Sequence, residues 1–562
     1  MNILNNLVLF LGLLCLALAQ PTVRIRQGEL SGRYMSTVNG RSISAFLGIP
    51  YAKPPIGNLR FKEPVPADPW EGVYNATSDP DFCLQYSHVT YNTATPVIGS
   101  EDCLFLNVYV PTELLVEERQ EDLDVMIFIH GGAFMFGCSS IPGPEFLLDK
   151  DVILVTLNYR LGALGFLSLE DSILPGNNGM KDQVLALKWI KKNIAAFGGN
   201  PNNIVLTGLS AGGASVHFHM LSPLSQGIFT KAISMGGSAL CPWAQMEAAR
   251  EKTLMIANYL GCPTNDSLLI MKCLRTRPAS KIVAATALFQ RWMYNPFSPF
   301  GIVIEPPSPN AFLSESPVNI ILKGKAQDIP YLVTMNSDEG LYPGAEILAD
   351  SKLADELDNN WNEYLPFLLD YNYTCTADKI DNVSNRIKEF YLGNSRIMES
   401  KKQFIKMLGD RLFYDAIVKS TKLHAEYYSS PVYAYLFSHK GSVRLSNIFN
   451  MAEDIYDGTS HADDVGYVVR VRHMPLERNS TDMSLSNRMI DLWFRFISGD
   501  QMPREWPTVQ ENLPNFGFLE IKNPYERNDE VRIEADYGNE KFWDSLNLNE
   551  NIACKGFSKD EL

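Results

Sequence analysis

Ile204-Val205-Leu206-Thr207-Gly208-Leu209-Ser210-Ala211-Gly212 is the stretch that decides how this chain folds. A short apolar, β-branched run meets Gly-x-Ser-x-Gly, and a helix-compatible stretch over 214–220 follows. That order reads as strand, sharp turn and helix, the arrangement called a nucleophile elbow. Its glycines let the chain turn so tightly that Ser210 stands exposed between the two elements. The five-residue pattern alone is common by chance; its setting gives it weight.

Working upstream, apolar residues fall at Val184, Leu187, Ile190, Ile194 and Phe197, three or four apart, with Lys188, Lys191 and Lys192 covering the other face. This predicts an amphipathic helix over 180–197, stopped by Gly198-Gly199. Residues 125–129 and 152–157 are continuous apolar runs and read as buried strands. Downstream, 331–334 and 432–437 read as further strands, with helices over 402–414 and 416–427 between them. The β–α–β order predicts an α/β fold with a large, mostly parallel central sheet flanked by helices.

The chain has 562 residues, 46% hydrophobic and 20% charged, with a net charge of −15, which argues against nucleic-acid binding. Residues 7–19 are apolar and end in the small-x-small pattern Ala17-Leu18-Ala19. This reads as a signal peptide over 1–19, although 1–6 carry no Lys or Arg. The run is too short to span a bilayer comfortably, and no later segment offers 18 apolar residues in a row, so no stable membrane insertion is expected. The last four residues, Lys559-Asp560-Glu561-Leu562, form a receptor-read retention address. Together the two ends predict the endoplasmic-reticulum lumen, with the KDEL receptor as a partner. Between them we expect one domain over 20–540 and a loose polar tail over 541–562.

Of nine cysteines, Cys15 leaves with the signal peptide. Cys83 with Cys103 and Cys262 with Cys273 are close pairs, each able to close a short loop worth about 3 kcal/mol in the chain-entropy picture. Cys138, Cys241, Cys375 and Cys554 have no evident partners and read as buried or idle thiols. No Cys-x-x-Cys or His-Glu-x-x-His run points to a metal. Asn-x-Ser/Thr sites at Asn75, Asn265, Asn372, Asn382 and Asn479 are expected to be exposed glycosylation acceptors.

An activated serine needs a base, an orienting acid and donors for the developing oxyanion. The elbow chemistry runs in the order Ser, acid, His. His424, His439, His461 and His473 lie far enough downstream. His461 is favoured because it sits in a turn-rich loop, 458–464, after the strand over 432–437. Asp338 and Glu339, after the strand over 331–334, are both possible acids by spacing alone. His130-Gly131-Gly132 follows the strand over 125–129, and the Gly131 and Gly132 amides, with that of Ala211, are the candidate oxyanion donors.

With these residues in hand, the chain resembles the type-B carboxylesterases, the cholinesterase-like branch of the α/β-hydrolases, over about residues 22–540. The resemblance rests on Phe46-Leu47-Gly48-Ile49-Pro50-Tyr51-Ala52, on Glu101-Asp102-Cys103-Leu104-Phe105-Leu106-Asn107-Val108, on Asn158-Tyr159-Arg160, on Gly176-Asn177-Asn178-Gly179-Met180-Lys181-Asp182-Gln183 and on Phe197-Gly198-Gly199-Asn200-Pro201. The wording is most similar to insect esterases, including the aphid type linked with insecticide detoxification. The resemblance implies Glu339 as the acid, His461 as the base, disulfides Cys83–Cys103 and Cys262–Cys273, and ion pairs of Glu101 with Arg60 and of Arg160 with Asp182. By position it also suggests Phe134, Trp243, Phe297 and Phe300 as pocket walls.

Two departures bear on specificity. Many relatives carry Glu where Leu209 stands and Ser where Gly236 stands. Losing both polar groups points to a site for neutral, apolar esters. The Cys83–Cys103 loop holds no Trp, so a cation–π platform for choline is missing. The expected activity is hydrolysis of a small-molecule ester by an acyl-enzyme route without a cofactor. The alternatives are a sequestering esterase that turns over slowly and a non-catalytic binding or adhesion member of the family.

Overall fold

A computed structural model describes residues 20–548, apart from 89–95, 116–122, 443, 445–454, 473, 475, 477 and 526–528. The signal peptide, the KDEL address, Cys554 and His473 therefore lie outside the described residues.

The apolar runs assemble into one eleven-stranded sheet. In chain order its strands are β1 (Arg33–Ser36), β2 (Ser42–Pro50), β3 (Phe105–Pro111), β4 (Leu123–Ile129), β5 (Val152–Leu157), β6 (Gly199–Leu209), β7 (Lys231–Met235), β8 (Tyr331–Asn336), β9 (Val432–Phe437), β10 (Phe516–Ile521) and β11 (Glu530–Glu534). Across the sheet they run β1-β2-β3-β5-β4-β6-β7-β8-β9-β10-β11. The pairs from β5 through β10 are all parallel, and antiparallel strands close both edges. Both faces are covered, which explains the continuous apolar runs. In β4, Val125, Ile127 and Ile129 enter one core while Met126 and Phe128 enter the other.

The helix expected over 180–197 is α1 (Asn178–Asn193), ending in a 3₁₀ turn whose cap, Gly198, has φ +84°. The helix after the elbow is α2 (Ala211–Leu221). Further along come α3 (Leu341–Ala349), α4 (Lys401–Gly409), α5 (Asp415–Tyr427), α6 (Ser480–Ser498) and α7 (Glu540–Ser545). Between α4 and α5, Asp410–Tyr414 form a π-helical turn where the pattern had predicted plain α-helix. Helix α7 corrects the expectation of a loose tail from 541. Trp543, Leu546 and Leu548 are buried, and Lys419 and Lys422 pair with Asp544 and Glu540 at 2.8 and 3.1 Å.

Both disulfides form, and Cys138, Cys241 and Cys375 are buried thiols. The implied ion pairs form as well. Arg60 grips Glu101 through two 2.6 Å bonds, and Arg160 grips Asp182 through two of 2.7 Å. Asn75, Asn265, Asn382 and Asn479 are exposed. Asn372 corrects the expectation: it is half-buried, with its Oδ1 enclosed, and stands between the buried Tyr371 and Thr374. Among the described residues, no helix is long and apolar enough to cross a membrane, and no cluster of three His, Cys, Asp or Glu could hold a metal ion.

Candidate active site

The elbow is built by close contact. Ser210 joins β6 to α2 with φ +58° and ψ −119°, a backbone conformation that costs a non-glycine residue about 1–3 kcal/mol. The turn is held by Ser210 N–H donating to Met235 O at 2.7 Å and Ser210 O accepting from Ala214 N at 2.8 Å. A Cβ on Gly208 would lie 2.3 Å from Gly212 O, and one on Gly212 would lie 2.1 Å from Ile129 O. Both glycines are thus required by the packing of β4, β6 and α2.

Glu339 and His461 meet from different loops. His461 Nδ1 lies 2.5 Å from Glu339 Oε2, and both side chains are buried. The two acids left open by spacing now separate. Glu339 Oε1 accepts from the Asn336 backbone N–H at 2.7 Å, while its own N–H donates to Tyr414 OH at 3.1 Å. Tyr414 OH in turn donates to Asn336 O at 2.5 Å. Asp338 instead ties down the histidine loop: its Oδ2 accepts from Thr459 N–H at 3.1 Å and its Oδ1 from Tyr456 OH at 2.6 Å. The rival histidines are committed elsewhere. His424 faces His217 at 2.9 Å, and His439 bonds Asp482 at 2.9 Å.

Beneath Glu339, Asn336 links two buried carboxylates. Its Nδ2 donates to Asp464 Oδ1 at 3.2 Å, and its Oδ1 accepts from Asp464 N–H at 3.1 Å. Asp464 also accepts from Thr334 Oγ1 and Tyr435 OH, yet burial still raises its pKa.

The Gly131-Gly132 turn lies against the elbow: a Cβ on Gly131 would sit 3.0 Å from Ser210 Cβ. Among the described residues the N–H groups of Gly131, Gly132 and Ala211 meet no protein acceptor. His130 braces the turn. Its Nδ1 lies 2.8 Å from Gly131 O, and its ring stacks on Tyr159 at 4.5 Å. A carbonyl only accepts, so Nδ1 carries the proton. Burial lowers this histidine to about 4 and keeps it neutral.

Gly236 and Gly237 lie between Ser210 and His461. A Cβ on Gly237 would sit 2.1 Å from Ser210 O, and one on Gly236 would sit 2.9 Å from His461 Cε1. No hydrogen bond among the described residues joins Ser210 Oγ to His461; unliganded catalytic contacts are often long and tighten with substrate.

A closed circuit of rings includes His461. It runs from His461 to Tyr342 (5.7 Å), Phe297 (5.5 Å), Trp243 (6.2 Å) and Phe413 (6.0 Å), then back to His461 (4.6 Å). Of the four aromatics expected from position, Trp243 and Phe297 belong to it. Phe134 pairs with Phe166 and Phe300 with Phe289 instead. The π-turn supplies three consecutive contacts: Leu412 O accepts from Trp243 Nε1 at 2.7 Å, Phe413 meets His461, and Tyr414 holds Glu339. Such turns are common at functional sites, but no sequence pattern marked this one. Tyr342 was in view three residues after Glu339 without any sign of its direction.

Comparison with known proteins agrees with this architecture. The family model described as the carboxylesterase family matches residues 19–539. Esterase FE4 of Myzus persicae is 43% identical over 533 residues, covering 92% of this chain and 93% of the aphid chain. Venom carboxylesterase-6 of Apis mellifera is 38% identical, covering 98% and 99%. The crystal structure of juvenile hormone esterase from Manduca sexta, with OTFP covalently attached, superposes with a TM-score of 0.80 at 28% identity, covering 94% of this chain and 99% of that one. An α/β-hydrolase sheet of this order, with relatives of this identity along nearly the whole chain, makes it a carboxylic ester hydrolase of the carboxylesterase family.

Proposed function

We propose that the chain hydrolyses neutral, apolar carboxylic esters through an acyl-enzyme on Ser210. His461 takes the Ser210 proton as Oγ adds to the ester carbonyl, and Glu339 stabilises the imidazolium through Nδ1. The N–H groups of Gly131, Gly132 and Ala211 receive the oxyanion, each donor contributing about 2.7–4 kcal/mol to the transition state. As the tetrahedral adduct collapses, His461 returns the proton to the leaving alcohol. Water then repeats the sequence on the acyl group and frees Ser210. The observation that carries this reading is the buried His461–Glu339 contact inside an aromatic circuit one glycine turn from a strained Ser210. The uncharged rings favour neutral substrates, and xenobiotic esters such as insecticides are a fitting class.

The test is turnover of p-nitrophenyl esters from acetate to octanoate by wild type and Ser210→Ala. The reading requires turnover that vanishes in the variant, with a phosphonate probe labelling Ser210. Label on another residue would refute the assignment. We further propose that the chain is retained in the endoplasmic-reticulum lumen by its C-terminal Lys-Asp-Glu-Leu and glycosylated at its exposed sequons. Secretion of the chain only after deletion of 559–562 is the expected result.

A further inference from the structure

The π-turn that supplies Leu412, Phe413 and Tyr414 to the site is held from outside, at both of its ends, by the segment leading into α7. At the first end the buried Asp410 carboxylate accepts through Oδ2 from Tyr391 OH, Asn539 Nδ2 and Lys406 Nζ, each at 2.7 Å. Trp543 Nε1 donates in turn to Tyr391 OH at 3.1 Å. At the far end Lys419 Nζ bridges Asp415 Oδ2 at 3.0 Å and Asp544 Oδ1 at 2.8 Å. Between them the backbone itself closes in. A Cβ on Gly538 would lie 3.0 Å from both Tyr414 Cβ and Asp415 N, and the Tyr537 ring meets Tyr414 edge-on at 5.2 Å. Asn539 is suited to its place: its φ of +56° is left-handed, which Asn adopts more readily than most residues.

A π-turn is a rare insertion into an α-helix, and the contacts around it decide where it sits. We propose that Asn539 is a positioning residue for the ester hydrolysis: through Asp410 it holds the π-turn in the register that keeps Phe413 on His461 and Tyr414 on the Glu339 backbone. The inference rests on the catalytic assignment above and deepens it. Once the turn is released, Tyr414 draws away, Glu339 loses the hydroxyl at its N–H, and its carboxylate meets His461 less well. A carboxylate that stabilises the imidazolium less lets it give up its proton at lower pH, so the acid limb of kcat/KM moves down.

Asn539→Gly keeps the left-handed backbone and removes only the amide. On p-nitrophenyl acetate, with active sites titrated by a phosphonate at each pH, it should lower kcat about three- to tenfold, as a misplacement of a few tenths of an ångström would. Its acid limb should move down by about half a pH unit, a fraction of what an adjacent charge produces. Tyr391→Phe takes another donor from Asp410 and should move the limb the same way; it decides the matter if Asn539→Gly does not fold. Glu540→Gln cuts the 3.1 Å pair with Lys422, which loosens α7 without touching Asp410, and should leave the limb where wild type has it. A merely structural role would lower the melting midpoints of these variants and leave every limb in place, and that result overturns the proposal. Wild-type kcat in Asn539→Gly overturns it as well. Turnover that survives Ser210→Ala instead refutes the catalytic assignment and is read separately.

Discussion

Gly236→Ala should separate activity from stability in this enzyme. The added Cβ would lie 2.9 Å from His461 Cε1, 3.0 Å from Nδ1 and 3.4 Å from Glu339 Oε1. The imidazole has little room to yield, since Glu339 holds it at 2.5 Å and the Phe413 ring lies 4.6 Å away. Relieving the contact takes a shift of about half an ångström, and a misplacement of about 1 Å can cost 10²-fold, so kcat should fall about tenfold or more. Gly236 has φ +54°, where a side chain costs about 1–2 kcal/mol. At about 2.1 cal/mol/K of unfolding entropy per residue, that penalty lowers the melting midpoint of so long a chain by only about 1–2 °C. The assay is p-nitrophenyl acetate turnover per active site, titrated with a phosphonate, beside a thermal melt. A variant with kcat within twofold of wild type would show that the turn does not restrain the base. A fall in kcat that merely tracks a collapsed melt would refute the geometric argument as well.

Glu339→Gln should lower kcat by about 10³–10⁴ on the same ester, the scale seen when an orienting acid becomes an amide; Asp338→Asn should cost far less, because Asp338 holds the 456–460 segment and does not touch His461. Tyr414→Phe removes the hydroxyl that accepts from Glu339 N–H and donates to Asn336 O, leaving both buried groups short of a partner; the expected loss is about 1–3 kcal/mol of stability in a urea melt, and an unchanged melt would contradict it. Acid should unfold the chain steeply. Burial lowers His130 and His424 to about 4, His88 and His219 to about 3, and His217 well below its ordinary range. As pH falls from about 6.5 to 4 the unfolded chain takes up protons that the folded one refuses, so the stability these neutral rings hold above 6.5 is lost at up to about 1.4 kcal/mol per pH unit each. Asp415, raised by burial to about 6, and the raised carboxylates of Asp182, Asp410 and Asp464 work the other way as pH falls towards 4, so the loss is steepest near pH 6.5. Melting midpoints that stay flat from pH 7 to 5 would refute this.

The strands were legible because both faces of the sheet are buried, so β5 and β9 appear as unbroken apolar runs whose ends match the sequence reading. The elbow was legible because packing demands glycine at 208 and 212. What escaped the sequence was direction. Asp338 and Glu339 are neighbours of identical charge, and only the turn after β8, together with the hydroxyl of Tyr414, sends one to His461 and the other to the histidine loop. The π-turn was hidden because one extra residue in a helical repeat leaves the apolar pattern over 402–427 almost unaltered, yet it aims Phe413 and Tyr414 into the site. The aromatics chosen by position divided two and two, since position fixes the backbone while neighbouring side chains fix where a ring points. The tail failed for a related reason: one Trp in a polar segment is a weak signal, but buried beside Tyr391 and Arg411 it anchors α7.

The two departures from the family pattern have a common physical sense. A polar pair at 209 and 236 would place charge and hydroxyl beside the nucleophile, but Gly236 has no room for a side chain and Leu209 packs half-buried against the second core. The polar groups stand instead beneath the acid, where Asn336 joins Glu339 to Asp464, and Thr334 and Tyr435 complete the set. This network fixes Glu339, and through it the His461–Glu339 pair. The rings of Trp243, Phe297, Tyr342 and Phe413 close an uncharged circuit with His461. A cationic alcohol would have to shed water there without gaining a carboxylate, whereas a neutral ester loses little on entry. The proposed preference for uncharged substrates has its physical ground in where the buried carboxylates stand.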